Sequence, residues 1–470
     1  VALTGYGPGS EVGVNVVIGA GVGGLCAALH WRRQGLPVTV LEARSVPGGL
    51  ASATELAGRR HDVGPYVLLD RPGLEWAFHQ LGLRLEDELE LLRLEEPYRV
   101  EAPGTPTVVI RDGLDETADG LERDFPGAGD RYRAYVARLG ERYARLAPLQ
   151  RAPFRGPVAL LSGGRWRDAP FLLRSLGSEL AAARLPPPVV DALAVWTHVA
   201  GQPLAAAPSV MALVPAVIHQ VGAYFVKGGM GSLVDALARA AVAAGVELRF
   251  GERVDRIVRD GPHVVAVEVG GRRLPVERVV SDAPALTTLC TLLSPPEPAV
   301  SDPLRSLPLQ SPGVAAWLHV DPAAEAPFLR FRLEGGRCAG LLHPGAVDET
   351  LRGRARLFAP LDHAWAEQVG ADGQRAALDA LLAETWWRGG LGDVEVVGTR
   401  IPVEWGAVHH LWRDSMNPTM TAAFLRRGRV PHHPPGLPTN LSLCGAATHP
   451  GQWVSFCAIS GILATSPRGR

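Results

Sequence analysis

Hydrophobic and polar positions along this chain switch repeatedly between a strand-like and a helix-like period, with glycine at each switch. Val14-Asn15-Val16-Val17-Ile18 is an almost unbroken apolar run, the pattern of a strand covered on both faces. It ends at Gly19, a helical pattern follows over 25–34, and Gly35 stops it. A second strand, Val38-Thr39-Val40-Leu41, ends on Glu42. The same texture returns at Phe225-Val226, where Gly228, Gly229 and Gly231 lead into an amphipathic helix through Ala244 with Leu233, Leu237, Ala240 and Ala241 on one face. Strands are predicted over 246–250, 253–258, 264–269 and 273–276, the last two joined by a Gly270-Gly271 turn, and over 279–284. One more buried strand, 441–447, leads to a helix over 455–464. Alternating strands and helices of this kind predict an α/β fold.

The longest apolar stretch, 192–226, is broken by His198, Gln202, Pro203, Pro208, Pro215, His219 and Gln220. No window reaches the roughly 18 uninterrupted apolar residues of a spanning helix. The stretch is expected to form a core helix pair, to line an internal cavity or to lie on a membrane surface.

Composition narrows the picture. A chain of 470 residues is long for one core and predicts two or three packed substructures. A net charge of −1 without blocks of like charge leaves no electrostatic footprint for nucleic acid. Five scattered cysteines without a C-x-x-C pair suit a reducing compartment, and no metal site is expected. Residues 1–11 show no basic region followed by an apolar core, hence no signal peptide, and read as a polar leader.

The candidate chemistry lies in the glycines. In Gly19-Ala20-Gly21-Val22-Gly23-Gly24, Gly19 allows the tight turn, Gly21 lets backbone approach a pyrophosphate, and Gly24 lets helix and strand pack closely. Glu42, 18 residues past Gly24, stands where a carboxylate accepts from a ribose diol. Strand, turn, helix and acidic strand end agree on a dinucleotide. The pair Gly48-Gly49, soon after Glu42-Ala43-Arg44, and the bend His61-Asp62-Val63-Gly64-Pro65-Tyr66 together favour FAD, whose longer ribityl-diphosphate arm needs more backbone bare of side chains.

The segments Val17 to Gly49, Asp62 to Pro65, Tyr224 to Gly231, Val279 to Ala283 and Gly445-Ala446-Ala447-Thr448-His449-Pro450-Gly451 resemble the bacterial phytoene desaturase family of the flavin amine-oxidase superfamily. The resemblance spans residues 14 to about 464. It implies a discontinuous, two-part Rossmann-like FAD-binding domain (12–75, 225–290 and 436–466). A substrate-binding α+β domain (76–224 and 291–435) with a helical, membrane-facing region would complete it. It further implies that Gly19, Ala20, Gly21, Gly23 and Gly24 hold the pyrophosphate, with Glu42 and Ala43 at the adenosine ribose. Gly48, Gly49 and Leu50 would flank the diphosphate-ribityl arm and the backbone of Val254 the adenine. Ala283, Gly445, Gly451 and Val454 would lie along the ribityl chain and flavin, with Gly64, Pro65 and Tyr66 beside the ring. Two positions depart from the family. Leu50 stands where members usually have arginine, and Gln452-Trp453-Val454-Ser455-Phe456 is bulkier than usual.

The chemistry implied is removal of hydrogen from an apolar polyene by hydride transfer to flavin N5, followed by loss of a proton, with oxygen or a quinone as final acceptor. Such a reaction needs an electron sink and a dry, shaped site more than an acid–base pair. His449 is the one catalytic candidate, with backbone orientation as its expected task. The His409-His410 and His432-His433 pairs read as solvated or locally bonded rather than metal ligands. Lys227, the sole lysine, is either a cofactor contact or a surface residue. The family also implies a cytoplasmic protein held peripherally on the inner face of the membrane. Three readings follow: a carotenoid desaturase, isomerase or saturase; a flavin amine oxidase; and a non-catalytic lipid-binding relative. The intact glycines oppose the third, and the apolar 192–226 stretch opposes the second.

Overall fold

The computed structural model describes residues 13–153, 165–199, 202–421, 424 and 430–467. The leader reading of residues 1–11 lies outside them.

A βαβ unit nucleates the first layer. Strand β1 (Val14–Ile18) enters helix α1 (Val22–Arg33) through Gly19, and strand β2 (Val38–Glu42) returns parallel to β1, with Val16 opposite Thr39 and Val17 opposite Val40. Nearly every residue of the two strands is buried, as expected of parallel strands covered on both faces. The full sheet runs Leu293–Ser294, Val254–Asp260, His263–Val269, Arg272–Ser281, β1, β2, Glu247–Phe250, with Leu441–Leu443 also on Arg272–Ser281. It is mixed. The two strands expected over 273–276 and 279–284 are one ten-residue strand, Arg272–Ser281. Its first half pairs antiparallel with His263–Val269, and its second half pairs parallel with β1 and with Leu441–Leu443. Pro275 does not interrupt it. The predicted strand at 441–447 is confined to Leu441–Leu443, because the glycine turn begins at once.

The C-terminal helix Val454–Thr465 is apolar all round and buried almost throughout, the pattern of a helix enclosed on every side. It packs on α1 through small residues. A Cβ on Gly461 would overlap the carbonyl oxygen of Gly23 and stand 2.9 Å from the amide of Ala27. Helix Met230–Ala243 covers α1 from another side, and Asp62 caps it by accepting from the N–H groups of Met230 (2.6 Å) and Gly231 (3.0 Å). Tyr224–Val226, just before that helix, forms a ribbon with Leu91–Arg93.

The second layer is a seven-stranded sheet in the order Val394–Arg400, Val314–Val320, Arg354–Ala359, Arg337–Leu342, Leu329–Glu334, Tyr98–Glu101, Val108–Ile110. Helices Ala128–Gln150, Pro187–Val199 and Val214–Val221 contribute to the same core. Segments 192–197 and 202–226 of the apolar stretch are therefore built largely into the interior, where Trp196, Met211 and Val214 line a cavity. Among the described residues no helix is long and apolar enough to cross a membrane.

Gly461→Val is expected to cost about 1–3 kcal/mol, the usual range for overpacking a dense core. Urea unfolding should show a lower midpoint with an unchanged slope; an unaltered midpoint would show that the two helices can separate freely.

Candidate active site

One cavity of about 840 Å³ runs along the ends of the first sheet's strands and continues under the second sheet. At its glycine end the backbone is bare by necessity. Gly19 has φ +94°, and a Cβ on Gly24 would overlap the Gly19 carbonyl oxygen. The amide of Gly48 donates to the carbonyl of Ala20 at 2.7 Å, which brings the Gly48-Gly49 turn against the first one. Gly21 caps α1 without a side-chain hydrogen bond, so the first N–H groups of that helix are left for a ligand or a neighbouring side chain. The C-terminal helix likewise starts at Trp453 without a side-chain cap.

Glu42 is buried at the end of β2. Its Oε2 accepts from the N–H of Ala20 (2.8 Å) and its Oε1 from that of Arg44 (3.0 Å). Each oxygen retains a lone pair toward the cavity, the requirement for a diol. Arg44 donates through Nη1 to Ser52 Oγ (3.1 Å), while its Nη2 is buried without a partner beside Gly48 and Gly49. Leu50 packs its side chain into the core of the second layer. Arg44 thus keeps a guanidinium among the cavity-lining residues, while Leu50 supplies none.

Of the predicted residues, Gly19, Gly21, Gly23, Glu42, Ala43, Gly48, Gly49, Leu50, Gly64, Pro65, Tyr66, Val254, Ala283, Gly445 and Val454 line this cavity. Ala20, Gly24 and Gly451 do not. Ala20 holds Glu42 and Gly48, and Gly24 serves the strand–helix approach. His449 does not line the cavity either. Its Nε2 bridges to the carbonyls of Leu149 (3.1 Å) and Ala152 (3.0 Å) and so ties the closing segment to the end of helix Ala128–Gln150. Lys227 is a surface residue paired with Glu90 at 2.7 Å.

The histidine pairs fall within the reading of solvated or locally bonded side chains: His410 is exposed and His433 bonds Ser442 Oγ at 3.1 Å. His432 is buried, bonded to Ser460 Oγ at 3.2 Å, and held down to about 3 by burial and by neighbouring His449 and His433. His409 stacks on Trp405 with ring centroids 5.6 Å apart, and its Nε2 is buried without a partner. Burial, and then Arg44 and Arg400, push it down to about 3, so a neutral imidazole lines the cavity. No group of three or more potential metal ligands occurs among the described residues.

Sequence reasoning missed Asp282 and Arg356. Asp282 sits under the glycine turns: a Cβ on Gly23 would stand 2.5 Å, and one on Gly445 2.6 Å, from its Oδ1. Burial pushes its carboxyl up to about 7, Glu42 adds to the rise, and the N–H groups of Gly24 and Gly21 and the Cys444 thiol oppose it. An acid at the strand end after Ser281 was the available signal. Arg356 lies at the other end of the cavity among Tyr66, Trp196 and Phe358, and only strand pairing brings it there.

The glycine turns along the cavity, Glu42 at its strand end and the uncapped start of the C-terminal helix fit an elongated dinucleotide with a further arm. Together with the two-layer fold they define a flavoprotein oxidoreductase with its cofactor arm on one layer and its substrate space under the other. A profile of "Flavin containing amine oxidoreductase" matches residues 22–466. Phytoene dehydrogenase of Streptomyces griseus is 33% identical over 96% of this chain and 95% of its own. The zeta-carotene-forming phytoene desaturase of Myxococcus xanthus is 32% identical over 57% of this chain and 53% of its own. An oxidoreductase structure from Methanosarcina mazei shares the fold, with a TM-score of 0.65 at 15% identity over 95% of this chain and 98% of that one. The chain belongs to the flavin containing amine oxidoreductase family and, within it, to the bacterial phytoene desaturases. It is an FAD-dependent oxidoreductase acting on CH–CH bonds.

Glu42→Gln keeps an acceptor for Ala20 but removes the charge. FAD affinity should fall about tenfold or more, since a hydrogen bond to a charged group contributes about 1.5–3 kcal/mol; unchanged affinity by fluorescence titration would detach Glu42 from the ribose. Asp282 gives a pH prediction. Below about pH 7 its carboxyl is neutral beside the pyrophosphate site, and above that it ionises and repels the diphosphate. FAD binding should therefore take up a proton and weaken as pH rises through 7, and Asp282→Asn should flatten that dependence.

Proposed function

We propose that this protein is a carotenoid desaturase that takes hydrogen from a long apolar polyene. The observation that carries this reading is the single cavity joining the glycine turns to an apolar, aromatic end, in a chain related over nearly its full length to a phytoene dehydrogenase. Bound FAD supplies the electron sink that such a substrate lacks. The chain's own residues do the rest. Trp196, Met211, Val214 and Phe358 form an apolar wall that aligns a carbon chain and keeps water away. Trp453, stacked on Phe456 at 4.8 Å, narrows the entrance beside the C-terminal helix and limits how far a substrate passes the ring.

Peripheral association with the inner face of a membrane, in a cytoplasmic protein, belongs to the same proposal. Its support is the segment around Arg165–Asp168, where Trp166 (57% exposed) and Leu173 (63% exposed) face solvent next to Arg165 and Arg167. Apolar side chains flanked by arginine suit an anionic lipid surface that delivers a polyene. Oxygen or a membrane quinone would accept the electrons. The amine oxidase alternative draws on the family profile and on a shared fold.

Incubation of the FAD-loaded enzyme with phytoene in liposomes should extend the polyene and shift its absorbance to the red. Part of the protein should sediment with the liposomes, and detergent should release it more readily than salt. Peroxide release on addition of a small amine, with no change in any polyene, would replace this reading by the amine oxidase.

A further inference from the structure

Arg356 places a buried cation at the apolar end of the cavity. It lies on strand Arg354–Ala359, opposite Trp317 on one neighbour and Leu342 on the other, and is 6% exposed. Its guanidinium carbon stands 5.4 Å from the ring centre of Tyr66 and 5.6 Å from that of Phe358. Nη1 donates to the Asp62 carbonyl (3.1 Å) and Nη2 to the Gly64 carbonyl (2.6 Å). A guanidinium offers five N–H donors, and Nε here is buried without a partner. Among the described residues no carboxylate is bonded to it. Asp62, whose field reaches it, spends both carboxylate oxygens on the N–H groups of Met230 and Gly231. Arg330 is the contrasting case: it too is buried and bonded to carbonyls, those of Trp387 and Gly389, but it lines no part of this cavity.

A buried charge to which no carboxylate is bonded is costly, and arginine does not escape by losing its proton. A plain hydrocarbon would offer it nothing. Positive charge developing on a reacting polyene would moreover be disfavoured next to it, so the part of the substrate that meets Arg356 is not the bond being oxidised. We infer that Arg356 is a specificity-determining residue that binds a carbonyl or carboxylate oxygen on the substrate, so that the cavity prefers an oxygenated polyene to a hydrocarbon of equal length. This rests on the desaturase reading.

The test titrates FAD-loaded enzyme with polyenes of one length ending in methyl, aldehyde or carboxylate, followed by flavin absorbance and protein fluorescence. The aldehyde and the carboxylate should bind at least about tenfold more tightly than the hydrocarbon, the scale of one charge-assisted hydrogen bond. Arg356→Gln should remove that preference while retaining FAD, and Arg356→Lys should keep part of it for the carboxylate. Equal binding of all three by the wild type overturns the inference, as does an unchanged preference in Arg356→Gln. A shifted flavin reduction potential with the preference intact would assign the arginine to the cofactor and overturn it too. Desaturation of a hydrocarbon without any preference leaves the proposed function standing and this inference refuted; failure to bind or convert any polyene removes the proposed function itself.

Discussion

The arrangement depends on how closely helix α1 approaches the end of β1. With no Cβ at Gly24, the helix start comes up to the Gly19 carbonyl, and with none at Gly461 the C-terminal helix comes up to Gly23. These two contacts set the height of the α1 N-terminus above the strand ends. They leave room for the Gly48-Gly49 turn, whose amide reaches Ala20, and for the Asp282 carboxyl beneath Gly21, Gly23 and Gly445. A bulkier side chain at any of these points would have to move a helix, because dense packing leaves no slack to absorb it.

The two layers are joined through the loop at Asp62. Its carboxylate caps helix Met230–Ala243, while its carbonyl accepts from the Trp317 indole (2.9 Å) and from Arg356. One residue thereby ties the dinucleotide layer to the second sheet and fixes where Gly64, Pro65 and Tyr66 face the cavity. Burial raises the Asp62 carboxyl, and its two backbone N–H bonds work against that rise. The cavity consequently has two chemically distinct ends, one of bare backbone and unspent N–H groups, the other of aromatic faces around one arginine.

The histidines illustrate how burial decides chemistry. His409 and His432 are each held near 3, so neither carries charge at neutral pH, and His449 is committed to two backbone carbonyls.

The sequence by itself determined the βαβ unit, its glycine turn and Glu42, because those features depend on local backbone conformation and on apolar runs with a definite period. It also marked the helices at 230–243 and 454–465 to within a residue or two, for the same reason. Tertiary structure alone decided the rest. Arg272–Ser281 became one strand because it found three different partners, and segments 192–197 and 202–226 turned inward because the second sheet offered them a core. Asp282, Arg356 and His409 reached the cavity through strand ends and a helix distant in sequence. His449 looked central from its neighbours yet turned toward residues 149–152. Pairings across 100 to 300 residues leave no periodic trace along the chain, so position in the cavity was settled only when the two layers closed on each other.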